Sequence, residues 1–149
     1  MKFSRAFTMI EMVFVIVVLG ILAAIAVPRM AASRTDAEIT KGRADIASVR
    51  SGIVTERQGR LILGQSTWIT RAALDNGGLF GGVLMYPVAN ESGKNGKWSA
   101  TTAGSGTYVF RTNNVDTTFT YYDSTETDAT KRGTFTCTAD LGNCNILTK

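Results

Sequence analysis

Residues 7–27 read FTMIEMVFVIVVLGILAAIAV, and this stretch decides how the rest of the chain is arranged. It is apolar almost throughout, and its one charged residue is Glu11. At 1.5 Å per residue, a helix of this length spans about 31 Å, which matches the hydrocarbon thickness of a bilayer. A helix in a soluble core is rarely apolar on every face over such a length. The sequence therefore predicts one N-terminal membrane-spanning helix.

A secretory signal peptide is the alternative interpretation, because a short basic segment, residues 1–6, precedes the apolar run. The run is longer than the usual apolar region of a signal peptide, and the helical pattern continues past Pro28. Ala24-Ile25-Ala26 nevertheless has the form of a signal-peptidase site. A membrane anchor is favoured, and the signal peptide stays open as the alternative.

The residues around the start of the run, Arg5-Ala6-Phe7-Thr8-Met9-Ile10-Glu11, resemble the processing site of type IV prepilins and type II secretion pseudopilins. In that family a dedicated peptidase cuts before the Phe and methylates the new amine. The resemblance implies cleavage between Ala6 and Phe7 and N-methylation of Phe7. The family usually has Gly before the cut, so Ala6 is a departure that bears on the efficiency of processing.

Glu11 is a carboxylate inside an apolar helix, which costs about 2.5 kcal/mol or more on insertion scales and usually marks a functional site. Our hypothesis is that it pairs with the N-terminal amine of Phe7 on a neighbouring subunit during filament assembly. The simpler interpretation is that Glu11 lies at headgroup depth near the helix start. Gly20 and Pro28 stand where family members commonly have a glycine and a proline, and Pro28 should bend the helix. The resemblance implies that the segment between them can lose helical turns on assembly.

Residues 28–59 continue the same helix with an amphipathic pattern. An apolar stripe at helical spacing consists of Ile39, Ile46, Val49 and Ile53. Two opposite-charge pairs four residues apart are expected on the exposed side: Arg34–Glu38 and Lys41–Asp45. The stripe predicts burial against the downstream part of the chain.

Residues 60–149 are assigned to a periplasmic globular domain. Gly59 or Gly64 is expected to end the long helix, and Ser66-Thr67 to cap a short helix over residues 68–75. Residues 79–88 are interpreted as a connecting segment packed on the core. Residues 90–106 are rich in Gly, Ser, Thr, Asn and Lys and are interpreted as a surface loop, with Trp98 as a packing anchor.

Three stretches of β-branched and aromatic residues predict strands, at residues 108–110, 117–122 and 133–137. Asn113-Asn114 is a turn signal between the first two. A meander of these strands laid across the helix stripe would bury both apolar faces. The predicted class is α+β with the pilin-like fold: a long N-terminal α-helix, membrane-spanning in its first half, packed against a small antiparallel sheet of about three strands.

Cys137 and Cys144 are the two cysteines of the chain. Seven residues apart and downstream of a membrane anchor, they predict a small disulfide loop in an oxidising compartment. Two free thiols are the alternative. A closed zinc site is disfavoured because the chain has no His.

The composition argues against nucleic-acid binding, catalysis and metal binding. The net charge of +4 falls to +2 if Lys2 and Arg5 leave with residues 1–6, which does not indicate a nucleic-acid-binding protein. Without His the usual Ser triad is excluded, and we expect no enzyme, no cofactor and no metal. A DNA receptor is a disfavoured alternative that would use Lys94, Lys97, Arg111, Lys131 and Arg132. A calcium site is likewise disfavoured against a solvated acidic loop, and would use Asp123, Glu126, Asp128 and Asp140.

The predicted function is a structural subunit of a type II secretion pseudopilus or a related type IV pilus-like filament, polymerised through its N-terminal helix. A true pilus subunit for adhesion, motility or DNA uptake, and an anchored binding domain that never polymerises, are the alternatives. The resemblance implies these partners: further copies of the chain, minor pilins or pseudopilins, the prepilin peptidase, and an inner-membrane platform with its ATPase. The expected location is the bacterial inner membrane, with the C-terminal domain in the periplasm and the assembled filament in the periplasm or at the cell surface.

Overall fold

The computed structural model describes residues 8–138 and 142–149, apart from the side chains of residues 28–32. The leader residues, Phe7 and Asp140 therefore lie outside the described residues. The elements in chain order are α1 (Met9–Ile62), α2 (Arg71–Leu74), β1 (Lys97–Ser99), β2 (Thr107–Thr112), β3 (Val115–Tyr121), β4 (Phe135–Cys137) and α3 (Cys144–Leu147). The chain divides into two compact units, one up to Asp36 and one from Ala37 onwards.

Helix α1 ends in a motif built around Gly64. The backbone N–H of Gln65 donates to the carbonyl of Arg60 (2.9 Å), and that of Gly64 to the carbonyl of Leu61 (3.0 Å). Gly64 has φ +75°, a left-handed conformation that glycine adopts without strain. This Schellman geometry confirms the prediction that one of the two glycines, Gly59 or Gly64, ends the helix.

The sheet is an antiparallel meander in the order β1-β2-β3-β4. It has four strands, and the additional strand β1 lies in the stretch that was predicted to be only a surface loop. Asn113 and Asn114, with φ of 49° and 61°, form the two-residue turn between β2 and β3. Positive φ at both central residues is typical of a type I′ hairpin, which suits Asn. The predicted turn is confirmed.

The outer edge of β1 is covered by the segment that precedes it. The backbone N–H of Glu91 donates to the carbonyl of Trp98 (2.9 Å). The side chain of Asn90 donates to the carbonyl of Ala100 and accepts from its N–H, both at 3.1 Å. The carbonyl of Trp98 and both peptide groups of Ala100 on this edge are therefore already hydrogen-bonded.

The core of the unit from Ala37 onwards is aromatic. Its fully buried rings are Phe80, Trp98, Tyr108, Phe110, Phe119, Tyr121 and Phe135. Helix α1 packs on them through Ile46, Val49 and Ile53, all buried, whereas Ile39 is only half-buried. The predicted stripe and the packing role of Trp98 are confirmed.

Glu38 differs from expectation. It was predicted on the exposed side of α1, yet it is 9% exposed, and its Oε2 accepts a hydrogen bond from the backbone N–H of Asn113 (3.2 Å). The hairpin turn offers a peptide N–H at that point, so a carboxylate can be buried there with a partner. The Lys41–Asp45 pair forms as predicted, with 2.9 Å between Nζ and Oδ2.

The short helix α2 begins later than predicted. Thr70 is its N-cap, and the Thr70 hydroxyl accepts from the N–H of Ala73 (3.2 Å). The preceding residues are held in a non-helical conformation by long-range hydrogen bonds. The N–H of Trp68 donates to Oγ of Ser124 (2.6 Å), and the hydroxyl of Tyr121 donates to the carbonyl of Ile69 (2.8 Å).

The C-terminal tail is joined to the sheet by the Cys137–Cys144 disulfide, with Cα atoms 5.8 Å apart. The predicted disulfide is confirmed. Beyond it, Leu147 of α3 is buried in the core. The side chain of Arg43 on α1 donates to the carbonyl of Ile146 (2.8 Å). The tail is therefore attached both to strand β4, through the disulfide, and to helix α1.

Candidate functional site: the N-terminal apolar helix

The stretch Met9–Val27 of α1 is long and apolar enough to cross a membrane. None of this stretch is buried in the protein. Large apolar side chains are exposed on every side of the helix, among them Phe14, Ile16, Ile21 and Leu22. An apolar surface of this extent is far larger than the isolated exposed residues of ordinary soluble proteins. It requires lipid or other apolar helices around it.

The start of α1 is closed by a reciprocal pair of hydrogen bonds between Thr8 and Glu11. The backbone N–H of Glu11 donates to Oγ1 of Thr8 (3.3 Å), and the backbone N–H of Thr8 donates to Oε2 of Glu11 (3.4 Å). This arrangement is a capping box, which satisfies two backbone donors that a helix start otherwise leaves unpaired. A carboxylate in the first turn also interacts favourably with the helix dipole.

The capping box gives Glu11 a role that the sequence analysis missed. The signal was present, because Thr8-Met9-Ile10-Glu11 has the Thr-x-x-Glu spacing that precedes an apolar helix. Within the described residues only Oε2 of Glu11 accepts a hydrogen bond, and the side chain is exposed. Among these residues the second oxygen, Oε1, accepts no hydrogen bond.

The other predicted assembly residues are only partly described. Ala6 and Phe7 lie outside the described residues. Gly20 is on the exposed helix surface, and an added methyl group there would meet no atom within 4 Å. Pro28 lies within the unbroken range of α1, while its side chain is outside the description. The roles of Gly20 and Pro28 in assembly stay predictions.

Two of the acidic residues that were considered as calcium ligands, Asp123 and Asp128, accept hydrogen bonds from groups of the same chain. Oδ1 of Asp123 accepts from the hydroxyl and N–H of Thr125 (2.6 and 3.1 Å), and Oδ2 accepts from the N–H of Arg71 (3.3 Å). Burial favours the neutral acid, but these hydrogen bonds and the Arg71 charge outweigh it and lower the pKa of Asp123. Asp128 makes similar bonds with Thr130. No acidic cluster able to hold a metal occurs among residues 8–138 and 142–149.

The basic residues that were considered as a DNA-binding site form ion pairs and hydrogen bonds with other groups of the same chain. Lys94 and Lys97 both contact the carboxylate of Glu91, at 2.7 and 2.6 Å. Arg111 pairs with Asp116 at 3.0 Å. The side chain of Arg132 donates to the carbonyl of Glu126 (2.6 Å), and Lys131 lies 3.8 Å from Asp128. Three carboxylates therefore offset part of the charge of these five residues, because Lys94 and Lys97 share Glu91 and Arg132 binds a neutral carbonyl.

These features define a class of protein: a chain with a long apolar N-terminal helix whose C-terminal part packs on a small antiparallel sheet, consistent with the pilin fold. Residues 1–27 match the family model described as the prokaryotic N-terminal methylation motif. The chain thus carries the type IV pilin-like prepilin signal, and the resemblance noted from the sequence is confirmed for this segment. No curated protein and no solved structure shows a significant match to the chain.

Proposed function

We propose that this protein is a filament subunit that is cut between Ala6 and Phe7, N-methylated on Phe7, and polymerised through α1. The observation that carries the proposal is the exposed apolar stretch Met9–Val27, which lies within the segment, residues 1–27, that matches the methylation motif. Before assembly this stretch anchors the subunit in the inner membrane, with the unit from Ala37 onwards in the periplasm. During assembly the same surface exchanges lipid for the helices of other subunits, because both environments are apolar.

Glu11 has a place in this mechanism. We expect one oxygen of its carboxylate to cap its own helix while the other receives the methylated amine of Phe7 from a neighbouring subunit. A pair of opposite charges gains strongly in a low-dielectric filament core, but only when the two groups meet closely. The capping box supports this role because it fixes the carboxylate at the helix start, where an incoming N-terminus could reach it.

The machine that the filament serves is a further part of the proposal. The modest size of the globular part favours a type II secretion pseudopilus, working with a prepilin peptidase, minor subunits, an inner-membrane platform and its ATPase. Deletion of the gene, with secretion and surface pili assayed in parallel, tests this choice. Lost secretion without lost pili supports the pseudopilus. Lost surface pili, or lost transformation with intact secretion, would reassign the subunit to a true pilus.

The role of Glu11 is tested by substitutions that separate its charge from its capping. Glu11→Gln retains an oxygen for the cap and removes the charge, whereas Thr8→Ala removes a capping oxygen and retains the charge. We expect Glu11→Gln to insert into the membrane normally and to lose filaments. We expect Thr8→Ala to weaken the helix start by about 1 kcal/mol and still to assemble. Normal filaments from Glu11→Gln would refute the charge pairing.

Processing and polymerisation are tested separately. Mass spectrometry of the N-terminus of membrane-extracted protein should find N-methyl-Phe7, and retention of residues 1–6 would contradict the proposal. Single cysteines placed between Met12 and Leu22 should crosslink between subunits, because a filament makes these helices neighbours. Correct insertion without any crosslink would indicate an anchored domain that does not polymerise.

A further inference from the structure

The dipeptide Asn-Gly occurs at two places, Asn76-Gly77 and Asn95-Gly96. In this dipeptide the backbone nitrogen of Gly can attack the side-chain amide of Asn, because glycine has no side chain to hinder the approach. The reaction needs a mobile Asn side chain and a Gly N–H that is not held in a hydrogen bond. The two sites differ in both respects.

Asn76 is open to this reaction. Asn76 and Gly77 are both exposed, in the turn that follows α2. Within the described residues the Asn76 side chain makes no hydrogen bond, and the N–H of Gly77 donates none, although its neighbours do: Asn76 N–H to Ala73 and Gly78 N–H to Asp75. A Cβ added at Gly77 would meet no atom within 4 Å, so the surroundings on that side are open.

Asn95 has the same sequence signal but is restrained. Its Oδ1 accepts from the N–H of Asn114 (2.9 Å), and its Nδ2 donates to Oδ1 of Asn114 (3.3 Å). The nitrogen that would attack, that of Gly96, is buried and donates to the carbonyl of Arg111 (2.7 Å). Three hydrogen bonds must open before the reaction can begin at this site.

We propose that Asn76 is a site of spontaneous deamidation and that the fold protects Asn95. Solvent base removes the proton of the Gly77 N–H, the nitrogen bonds to Cγ of Asn76, and the bond from Cγ to Nδ2 breaks with release of ammonia. The resulting succinimide takes up water at either carbonyl and opens to aspartate or isoaspartate. No oxidant or reductant is involved.

Deamidation of Asn76 alters the turn that follows α2. Asp75, directly before Asn76, accepts from the hydroxyl of Tyr108 (2.9 Å) and from the N–H of Gly104 (2.8 Å), and deamidation adds a second carboxylate next to it. In isoaspartate the former backbone carbonyl of Asn76 becomes the free carboxylate. Gly81 packs so closely on that carbonyl that a methyl group at Gly81 would collide with it. The modification therefore disturbs the connection between α2 and the core.

The test is incubation of the full-length protein in detergent at mildly alkaline pH, followed by cleavage after Glu and mass spectrometry. Cleavage after Glu56, Glu91 and Glu126 yields residues 57–91 and 92–126, which separate the two sites. Fragmentation of each peptide then locates the converted residue. In the folded protein we expect Asn76 to convert more than about tenfold faster than Asn95, because Asn95 must first open locally.

The control is the same protein unfolded in urea, incubated until both sites have reacted, where the rates should be comparable. In Asn76→Gln, peptide 57–91 should no longer convert in the folded protein. Equal rates in the folded protein, faster conversion of Asn95, or an unmodified Asn76 over the time in which the unfolded chain reacts would each overturn the proposal. Continued conversion of peptide 57–91 in Asn76→Gln would overturn it as well.

Discussion

The indole N–H of Trp98 donates to the carboxylate of Asp45 at 3.0 Å, which joins strand β1 to helix α1. Trp98 is completely buried, and its ring contacts Phe80, Phe110 and Phe119. The same Asp45 oxygen also accepts from Lys41 at 2.9 Å. A residue at the edge of the sheet thus fixes the helix through a polar group and the aromatic core through its ring.

Replacing Asp45 by Ala should destabilise the folded unit by about 1–3 kcal/mol, because the buried indole N–H loses its acceptor. Lys41→Ala is the matched control, since it removes the ion pair and the contact of Nζ with the Phe110 ring (5.7 Å) but leaves the indole its acceptor, and it should cost less than about 1 kcal/mol. Thermal or urea unfolding followed by Trp fluorescence measures both, as Trp68 and Trp98 lie in this unit. Equal losses from the two variants would contradict the role of Asp45.

Gly42 and Gly59 lie on the same helix and should respond to Ala in opposite directions. A Cβ at Gly42 would lie 2.5 Å from Cε1 of Phe110 and 2.9 Å from Cδ2 of Leu147, so Gly42→Ala should cost about 1–3 kcal/mol by overpacking. At Gly59 nothing lies within 4 Å. Gly59→Ala should therefore stabilise by up to about 1 kcal/mol through helix propensity. A neutral or stabilising Gly42→Ala would show that the helix does not approach the sheet this closely.

Loss of the disulfide should release the C-terminal tail. We expect the Cys137→Ser/Cys144→Ser double variant to lose about 2 kcal/mol, the amount that closure of a short loop contributes. Leu147→Ala should cost about 2–5 kcal/mol because its side chain is buried in the core. Ile146→Ala is the control, since Ile146 is 43% exposed and should change stability little. Urea unfolding of the four proteins under oxidising conditions provides the comparison.

Glu91 should titrate far below an ordinary glutamic acid. Hydrogen bonds and charge from Lys94, and then from Lys97, lower its pKa from 4.5 to about 2. Because the folded-state pKa is depressed, the stabilisation from these pairs is fully present above about pH 4.5 and is lost as the pH falls through about 2. An NMR titration of the carboxyl carbon measures this directly. Lys94→Ala should raise the titration midpoint of Glu91, and Lys131→Ala should leave it unchanged. A midpoint near 4.5 in the wild-type protein would refute the pairing.

Local patterns predicted the parts of this fold that local chemistry determines. Ile46, Val49 and Ile53 follow the helical period, and Phe119 and Tyr121 alternate along β3, so their burial follows from their spacing. The disulfide followed from the presence of two nearby cysteines. The methylation motif is contiguous and could be found without any knowledge of the fold.

The parts that were missed depend on distant partners. Lys97-Trp98-Ser99 becomes a strand because Lys97 pairs with Arg111 and Ser99 with Val109, which no local signal announces. Glu38 is buried because the N–H of Asn113 meets it, although its helix position suggested an exposed pair. The capping role of Thr8 is different, because its spacing to Glu11 is visible in the sequence. The two interpretations of Glu11, pairing with a neighbouring subunit and a position at headgroup depth, did not include a bond within its own helix.

The covered edge of β1 has a consequence for crowded subunits. Exposed sheet edges are templates on which identical chains can add strand to strand, as in amyloid. Asn90 and Glu91 occupy the outward carbonyl of Trp98 and both peptide groups of Ala100, which hinders the addition of another strand at this edge. Subunits at high local density can therefore polymerise through their N-terminal helices with less competition from aggregation at this edge of the sheet.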